Sequence, residues 1–291
     1  MHAPVDAHVR VDDGVTLRVR EHPPQRPVPD PRSYLLVHGL SSNALLWDGV
    51  GRELSAAGDR CVAVDLRAHG GSGGSDDLSF ARIVADLAHV IAELDLDRPI
   101  VVGQSWGGNV ALELGAARPD LTAGVVGVDG GLIELAGRFA DIESCWEALA
   151  PPRFEGVRWS AVESAVRERT RGWPSGSAEA QLTNLVRTAD GGVRPVLTRP
   201  RHRSIIEHLY AHRPLERLAA LTVPMLLLAV TGTERRILDE DRLEAASEQA
   251  ALPLGIVRLP GRDHDVHLQE PDLVAGLVRD WAAGRPVPEV S

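Results

Sequence analysis

The sequence predicts an α/β protein with a mostly parallel sheet covered by helices on both faces. Two observations carry this. Short apolar runs of strand length alternate with longer segments of helical periodicity, as in βαβ units. Runs such as SYLLV, CVAV and VPMLLLAV are apolar at nearly every position, as strands buried on both faces are. The 291 residues, 44% of them hydrophobic, are enough for a large core.

The elements follow in order. Residues 5–20 alternate apolar and polar and turn near Asp13-Gly14, which predicts an antiparallel hairpin. A Pro-rich loop, EHPPQRPVPDPR, leads to a strand at Ser33–Val37 that ends at His38-Gly39. Trp47–Ala57 reads as a helix, and Arg60–Asp65 as a buried strand before the Gly-rich turn RAHGGSGGS. Phe80–Leu94 carries apolar residues at 83, 84, 87, 90, 91 and 94, the stripe of an amphipathic helix. A strand at Pro99–Gly103, a helix at Gly108–Ala117 and a strand at Leu121–Asp129 follow. The last elements are strands at Val223–Val230 and Gly255–Leu259, with helices at Asp241–Ala250 and Pro271–Ala283. From about 131 to 218 no buried strand is evident. That stretch holds helical segments, Trp146, Trp159, Trp173 and many arginines, and reads as an insertion in the sheet order.

Composition excludes several functions. The 31 basic and 41 acidic residues leave a formal net charge of −10, unfavourable for nucleic acid or an anionic membrane as main partner. The chain contains no lysine, which removes Schiff-base, pyridoxal-phosphate and Walker A chemistry. Cys61 and Cys145 have no metal or redox spacing, and Cys61 reads as an inert core thiol. The segment MHAPVDAHVRVDDG does not fit a secretory leader, and no apolar run approaches a membrane span. The expectation is a soluble, cytoplasmic protein acting on a small molecule, with no cofactor or metal implied. The oligomeric state is not readable.

Residues 101–108, VVGQSWGG, place Ser105 where a buried strand becomes a helix. Such a turn projects the hydroxyl above the carboxyl end of the sheet, where open α/β sheets bind ligands. The helix that follows aims its N–H groups and positive dipole at the same spot. So sharp a turn needs small residues two before and two after the serine, here Gly103 and Gly107.

With VHGLSSN (37–43), VDLRAHGGS (64–72), GQSWGG (103–108) and LPGRDHDVHLQEPD (259–272), the chain resembles the α/β-hydrolase superfamily over nearly its whole length. The resemblance implies an eight-stranded sheet with a helical cap inserted after the sixth strand. The expected division is core at 1–131, cap at 132–215 and core again at 216–291. It also implies a serine nucleophile, Ser105, a late histidine base and an acid between them in chain order. His264, after Gly261 and before HLQEP, matches the family's Gly-x-x-His. His267 reads as packing, His38 and His69 as structural, and His2, His8, His22, His89, His202, His208 and His212 as surface or cap residues. His208 and His212 lack the acid placement of a metalloprotease helix. The oxyanion donors implied are the backbone N–H groups of Leu40 and Trp106.

The acid departs from the common pattern. Most members place an Asp shortly after the strand that VPMLLLAV resembles, yet AVTGTERR has none. Asp129, ending the preceding strand in GVVGVDGG, is the first candidate, and Glu234 the alternative. Asp65 reads as a structural turn residue.

A serine nucleophile argues against dehalogenase and epoxide hydrolase chemistry, which uses Asp there. The lack of lysine argues against plant-type hydroxynitrile lyase. Hydrolysis of a carboxylic ester or lactone of a small-to-medium, partly apolar substrate is the main reading. A carbon–carbon hydrolase or cofactor-free perhydrolase is one alternative, and a weakly active or ligand-binding member another. The expected pocket residues are Leu40, Trp47, Trp106, Leu132 and Trp146.

Overall fold

A computed structural model describes residues 3–232, 238–287 and 290. β1 (Val5–Arg10) and β2 (Thr16–His22) form the antiparallel hairpin. β3 (Ser33–Val37) leads into a loop and a 3-10 turn (Ala44–Trp47), which Asn43 caps by accepting from Leu45 N. Then come α1 (Asp48–Ala56), β4 (Arg60–Val64), α2 (Phe80–Glu93), β5 (Ile100–Gln104), α3 (Trp106–Ala117) and β6 (Gly124–Val128).

The insertion holds α4 (Ile142–Leu149), α5 (Trp159–Arg169), α6 (Ser177–Leu182), a ribbon of β7 (Leu185–Arg187) with β8 (Val193–Pro195), and α7 (Arg199–Ala211). The sequence shows no buried strand here, and the ribbon is largely unburied. The ribbon strands are three residues each, too short for a period to show. The core resumes with α8 (Pro214–Ala219), which packs on α3, then β9 (Met225–Thr231), α9 (Glu240–Gln249), β10 (Leu254–Pro260), α10 (Val266–Gln269) and α11 (Pro271–Ala282).

The sheet is eight-stranded in the order β1-β2-β4-β3-β5-β6-β9-β10. β1, β2 and β4 pair antiparallel, and the rest pair parallel. Side chains of the central strands alternate between two cores. Leu35, Val101 and Val125 face α2 and α3, while Leu36, Val102 and Val126 face α1 and α11. Both faces being dry explains the unbroken apolar runs. Truncating a fully buried leucine such as Leu36 to alanine would cost about 2–5 kcal/mol.

Strand order reverses between β3 and β5, the switch point where open α/β sheets form their ligand crevice. The loops after β3, β5, β6 and β10 all leave the carboxyl edge there. Asn109 on α3 ties down both ends of the insertion. It exchanges hydrogen bonds with the Ile133 backbone (2.8 and 3.2 Å) and contacts His212 Nδ1 at 3.1 Å. Among the described residues no helix is long and apolar enough to cross a membrane.

Candidate active site

The turn after β5 is as tight as its glycines suggest. Ser105 has φ 53° and ψ −126°, outside the regions open to ordinary L-residues. Such strain costs about 1–3 kcal/mol and persists only where the surroundings enforce it. They do. Ser105 N donates to Val128 O at 3.0 Å. A Cβ at Gly103 would stand 2.0 Å from Gly107 O, and one at Gly107 2.4 Å from His38 O. A Cβ at Gly130 would stand 2.1 Å from Ser105 O. The glycines are therefore required by backbone-to-backbone contact, and the turn after β6 is wedged against the serine.

The loop after β3 closes the other side. A Cβ on Gly39 would lie 3.1 Å from Ser105 Cβ, so Leu40 follows directly beside the serine. The Leu40 and Trp106 N–H groups have no hydrogen-bond partner among the described residues. Three imidazoles hold this loop. His38 donates from Nδ1 to Gly39 O (2.7 Å) and accepts from Leu66 N on Nε2 (3.0 Å). His69 donates to Arg67 O (3.0 Å) and accepts from Ser41 N (3.2 Å). His202, from α7, meets Ser41 Oγ at 3.0 Å. Burial pushes these rings down to about 4, 3 and 4 respectively, so all three are neutral at neutral pH.

Asp129 directly follows β6, has φ 42° and is fully buried. Its Oδ1 accepts from Val230 N at 3.2 Å, and its Oδ2 lies 2.5 Å from His264 Nδ1. The His264 loop reaches it by crossing the end of β9, where Gly261 N donates to Thr231 O at 2.9 Å. Burial opposes charge on the His264 ring, but the Asp129 hydrogen bond and carboxylate, with Asp265 and Asp263, hold its pKa above the ordinary histidine value. Glu234 lies outside the described residues. Asp65 is occupied by Arg18 Nε, Ala44 N and Gly71 N, a structural role.

Ser105 and His264 share a cleft of about 320 Å³ beneath the insertion. Of the expected pocket residues only Leu40 lines it. Trp47, the last residue of the 3-10 turn, is fully buried and packed on His267 with ring centroids 4.5 Å apart. The Trp106 ring turns inward onto His69, and Leu132 lies in the core. Trp146 sits on α4 beneath the guanidiniums of Arg199 and Arg203, away from the cleft. Large aromatics were drawn into the core because that buries the most surface. His202 and His212 lie in the insertion as expected, though buried, while His22 is buried in the core rather than at the surface.

The cleft wall has contributors with no sequence signal. Arg169, at the end of α5, bridges Asp263 (3.0 Å) and Asp265 (2.7 Å), the neighbours of His264. Gln181 donates to Asp265 at 3.0 Å. Asn43 donates to Asn184 Oδ1 at 2.6 Å and Ala180 O at 3.0 Å, seating α6 against the loop after β3.

The sequence pattern of the alpha/beta hydrolase family matches residues 34–277. The chain belongs to this family. It is 37% identical over 97 residues to an esterase of Mycobacterium tuberculosis, covering 33% of this chain and 32% of that protein. It is 29% identical over 198 residues to epoxide hydrolase B of the same organism, covering 60% and 54%. The chain spans about half the length, 47%, of the uncharacterized Mycobacterium bovis protein it also matches, at 30% identity over 161 residues, 54% of this chain. Among solved structures, E-2-(acetamidomethylene)succinate hydrolase superposes with a TM-score of 0.77 at 23% identity, covering 97% of this chain and all of that one. The thioesterase domain from the curacin biosynthetic pathway gives 0.75 at 22%, covering 96% and 100%. At such identities the likeness concerns the fold.

Proposed function

We propose that the chain is a serine hydrolase cleaving a small carboxylic ester or lactone through an acyl-enzyme. Ser105 is the nucleophile, His264 the base and Asp129 the acid. The observation that carries the reading is the 2.5 Å contact of His264 Nδ1 with Asp129, on a histidine that shares the cleft with the strained Ser105. A hydroxyl needs a base to become a nucleophile, and the base needs an oriented tautomer.

In the reaction, Ser105 Oγ attacks the substrate carbonyl as His264 Nε2 takes its proton. The developing oxyanion is held by the Leu40 and Trp106 N–H groups, the latter the first amide of α3. Asp129 stabilises the imidazolium. His264 returns the proton to the departing alkoxide, which leaves the acyl group on Ser105. Water then attacks the acyl carbonyl as His264 takes its proton; the bond to Ser105 Oγ breaks, His264 returns the proton to that oxygen, and the carboxylic acid leaves. The displaced acid is what favours a weakly active or ligand-binding member, and the Asp129–His264 contact supports the catalytic reading over it.

The cleft volume is near the lower end of small-molecule sites, about 300–1,000 Å³. Leu40, Leu46 and Val166 give it an apolar side, and Ser41, Gln181 and Asn184 a polar one. Among the described residues the cleft has one arginine, Arg169, and it is committed to two aspartates, so none of them offers an anionic substrate an unpaired cation. The substrate we expect is short, neutral and partly polar. A series of p-nitrophenyl esters from acetate to decanoate, beside γ- and δ-lactones, tests this. Turnover of the short esters or lactones that disappears in Ser105→Ala is the expected result. No turnover of any ester or lactone, or turnover retained in Ser105→Ala, contradicts it.

A further inference from the structure

Gln104 ends β5 and is only 3% exposed. Its side-chain nitrogen lies 3.0 Å from the His264 carbonyl oxygen and 3.2 Å from His264 Nε2. A carbonyl oxygen only accepts, so the nitrogen end of the amide must face this loop. An amide nitrogen only donates. His264 Nε2 must therefore present its lone pair, and the ring proton sits on Nδ1, against Asp129. The other end of the amide abuts the loop after β3, where a Cβ on Gly39 would stand 2.5 Å from Gln104 Oε1. The Ser105 hydroxyl makes no hydrogen bond to His264 among the described residues; Gln104 holds that place.

We infer that Gln104 is a positioning residue that keeps His264 in the base-competent tautomer and masks its Nε2 until Ser105 takes over that contact. The inference rests on the serine-hydrolase reading for its catalytic consequence, though not for the tautomer itself.

The groups around the ring make competing demands. Asp129, just after β6, and Asp263 and Asp265 on the ring's own loop, favour the imidazolium, and burial opposes it; His267 on α10 is kept neutral by its own burial and adds no charge. Arg169 on α5 is paired with Asp263 and Asp265 and offsets their charge. Gln104 acts on the remaining nitrogen. Protonating Nε2 would set one N–H against another, so Gln104 favours the neutral ring. It thereby counters Asp129 and keeps the base free to receive the serine proton.

Two substitutions separate this from simple packing. Gln104→Glu keeps size and shape but replaces the donor by an acceptor that welcomes a proton on Nε2. Gln104→Leu removes the donor. The His264 titration is read by nitrogen-15 NMR in a Ser105→Ala background, which needs no activity. Its pKa is expected to rise by about one unit in Gln104→Leu and by more in Gln104→Glu. In the Ser105 protein the acid limb of kcat/KM should move to higher pH in step. An unmoved His264 titration in the isosteric Gln104→Glu protein overturns the inference, even if Gln104→Leu fails to fold. So does a rate loss equal at every pH. If the titration moves while wild-type Ser105 reacts with no ester and no acylating probe, the positioning role stands and the hydrolase reading fails.

Discussion

The edge of the sheet and the insertion above it are built on opposite terms. At the edge, Gly103, Gly107 and Gly130 leave no room for a Cβ, and Ser105 and Asp129 are held at positive φ. In the insertion, α5 has no fully buried residue, and Gly156, Gly172 and Gly176 would place a Cβ in open space. Ser105 and Asp129 sit on backbone with no room to shift, while the cleft is shaped in part by α5, which has no buried residue although α7 packs Ile205, Ile206 and Leu209 into the main core. Preorganisation belongs to the first region and adaptability to the second.

The largest expected contrast is in rate. Asp129→Asn should lower kcat by about 10³- to 10⁴-fold, as loss of the acid does in serine proteases, with the fold intact. A loss under tenfold would assign the acid elsewhere, and Glu234→Gln made alongside would show whether it moves there. Next comes stability. Gly130→Ala should lower stability by about 3 kcal/mol or prevent folding, since backbone lies 2.1 Å from the added atom. Gly172→Ala, at φ 83° with open space around it, should cost only about 1 kcal/mol. Denaturant melts of the two side by side would erase the comparison if the costs came out equal.

A smaller effect is expected where the regions meet. Arg169→Met releases Asp263 and Asp265 and loosens the His264 loop. We expect about a tenfold loss in kcat. The stability change should stay within about 1 kcal/mol, because the pair is half exposed. A large stability loss with unchanged kcat would make the contact a structural strut instead.

The mildest prediction concerns pH. His38, His69, His202 and His267 are lowered by burial from 6.5 to about 4, 3, 4 and 4. Unfolded, they take up protons near pH 6.5; folded, they do not until about pH 4. Their contribution is complete above pH 6.5 and is lost as pH falls towards 4. His264, raised above its ordinary value, works in the opposite direction, losing its contribution as pH rises through its folded value. Four rings outweigh one, so the melting temperature should fall between pH 7 and pH 4.5. A flat profile would mean these rings are not neutral in the folded protein.

How much was legible follows the same division. The core strands announce themselves because both faces are dry, which leaves continuous apolar runs with nothing else to be. The serine turn is readable because backbone contact permits only glycine at 103 and 107. Asp129 is visible as a carboxylate before two glycines, and the first of them, Gly130, is the wedge against Ser105. The pocket wall was not legible. Burial alone could place Trp47 and Leu132 in a core or on a pocket wall, and packing put them in the core. Arg169 is one arginine among many, and Gln104 occupies a motif position open to many residues. Their roles exist only through neighbours distant in sequence, His264 and Asp265.

The most direct test of the central claim is intact-mass and peptide-mapping spectrometry after treatment with a fluorophosphonate. The account predicts one adduct per chain, on Ser105, formed rapidly in the wild type, much more slowly in Asp129→Asn and not at all in Ser105→Ala. A folded wild-type protein that stays unlabelled, or carries its adduct on another residue, would contradict it.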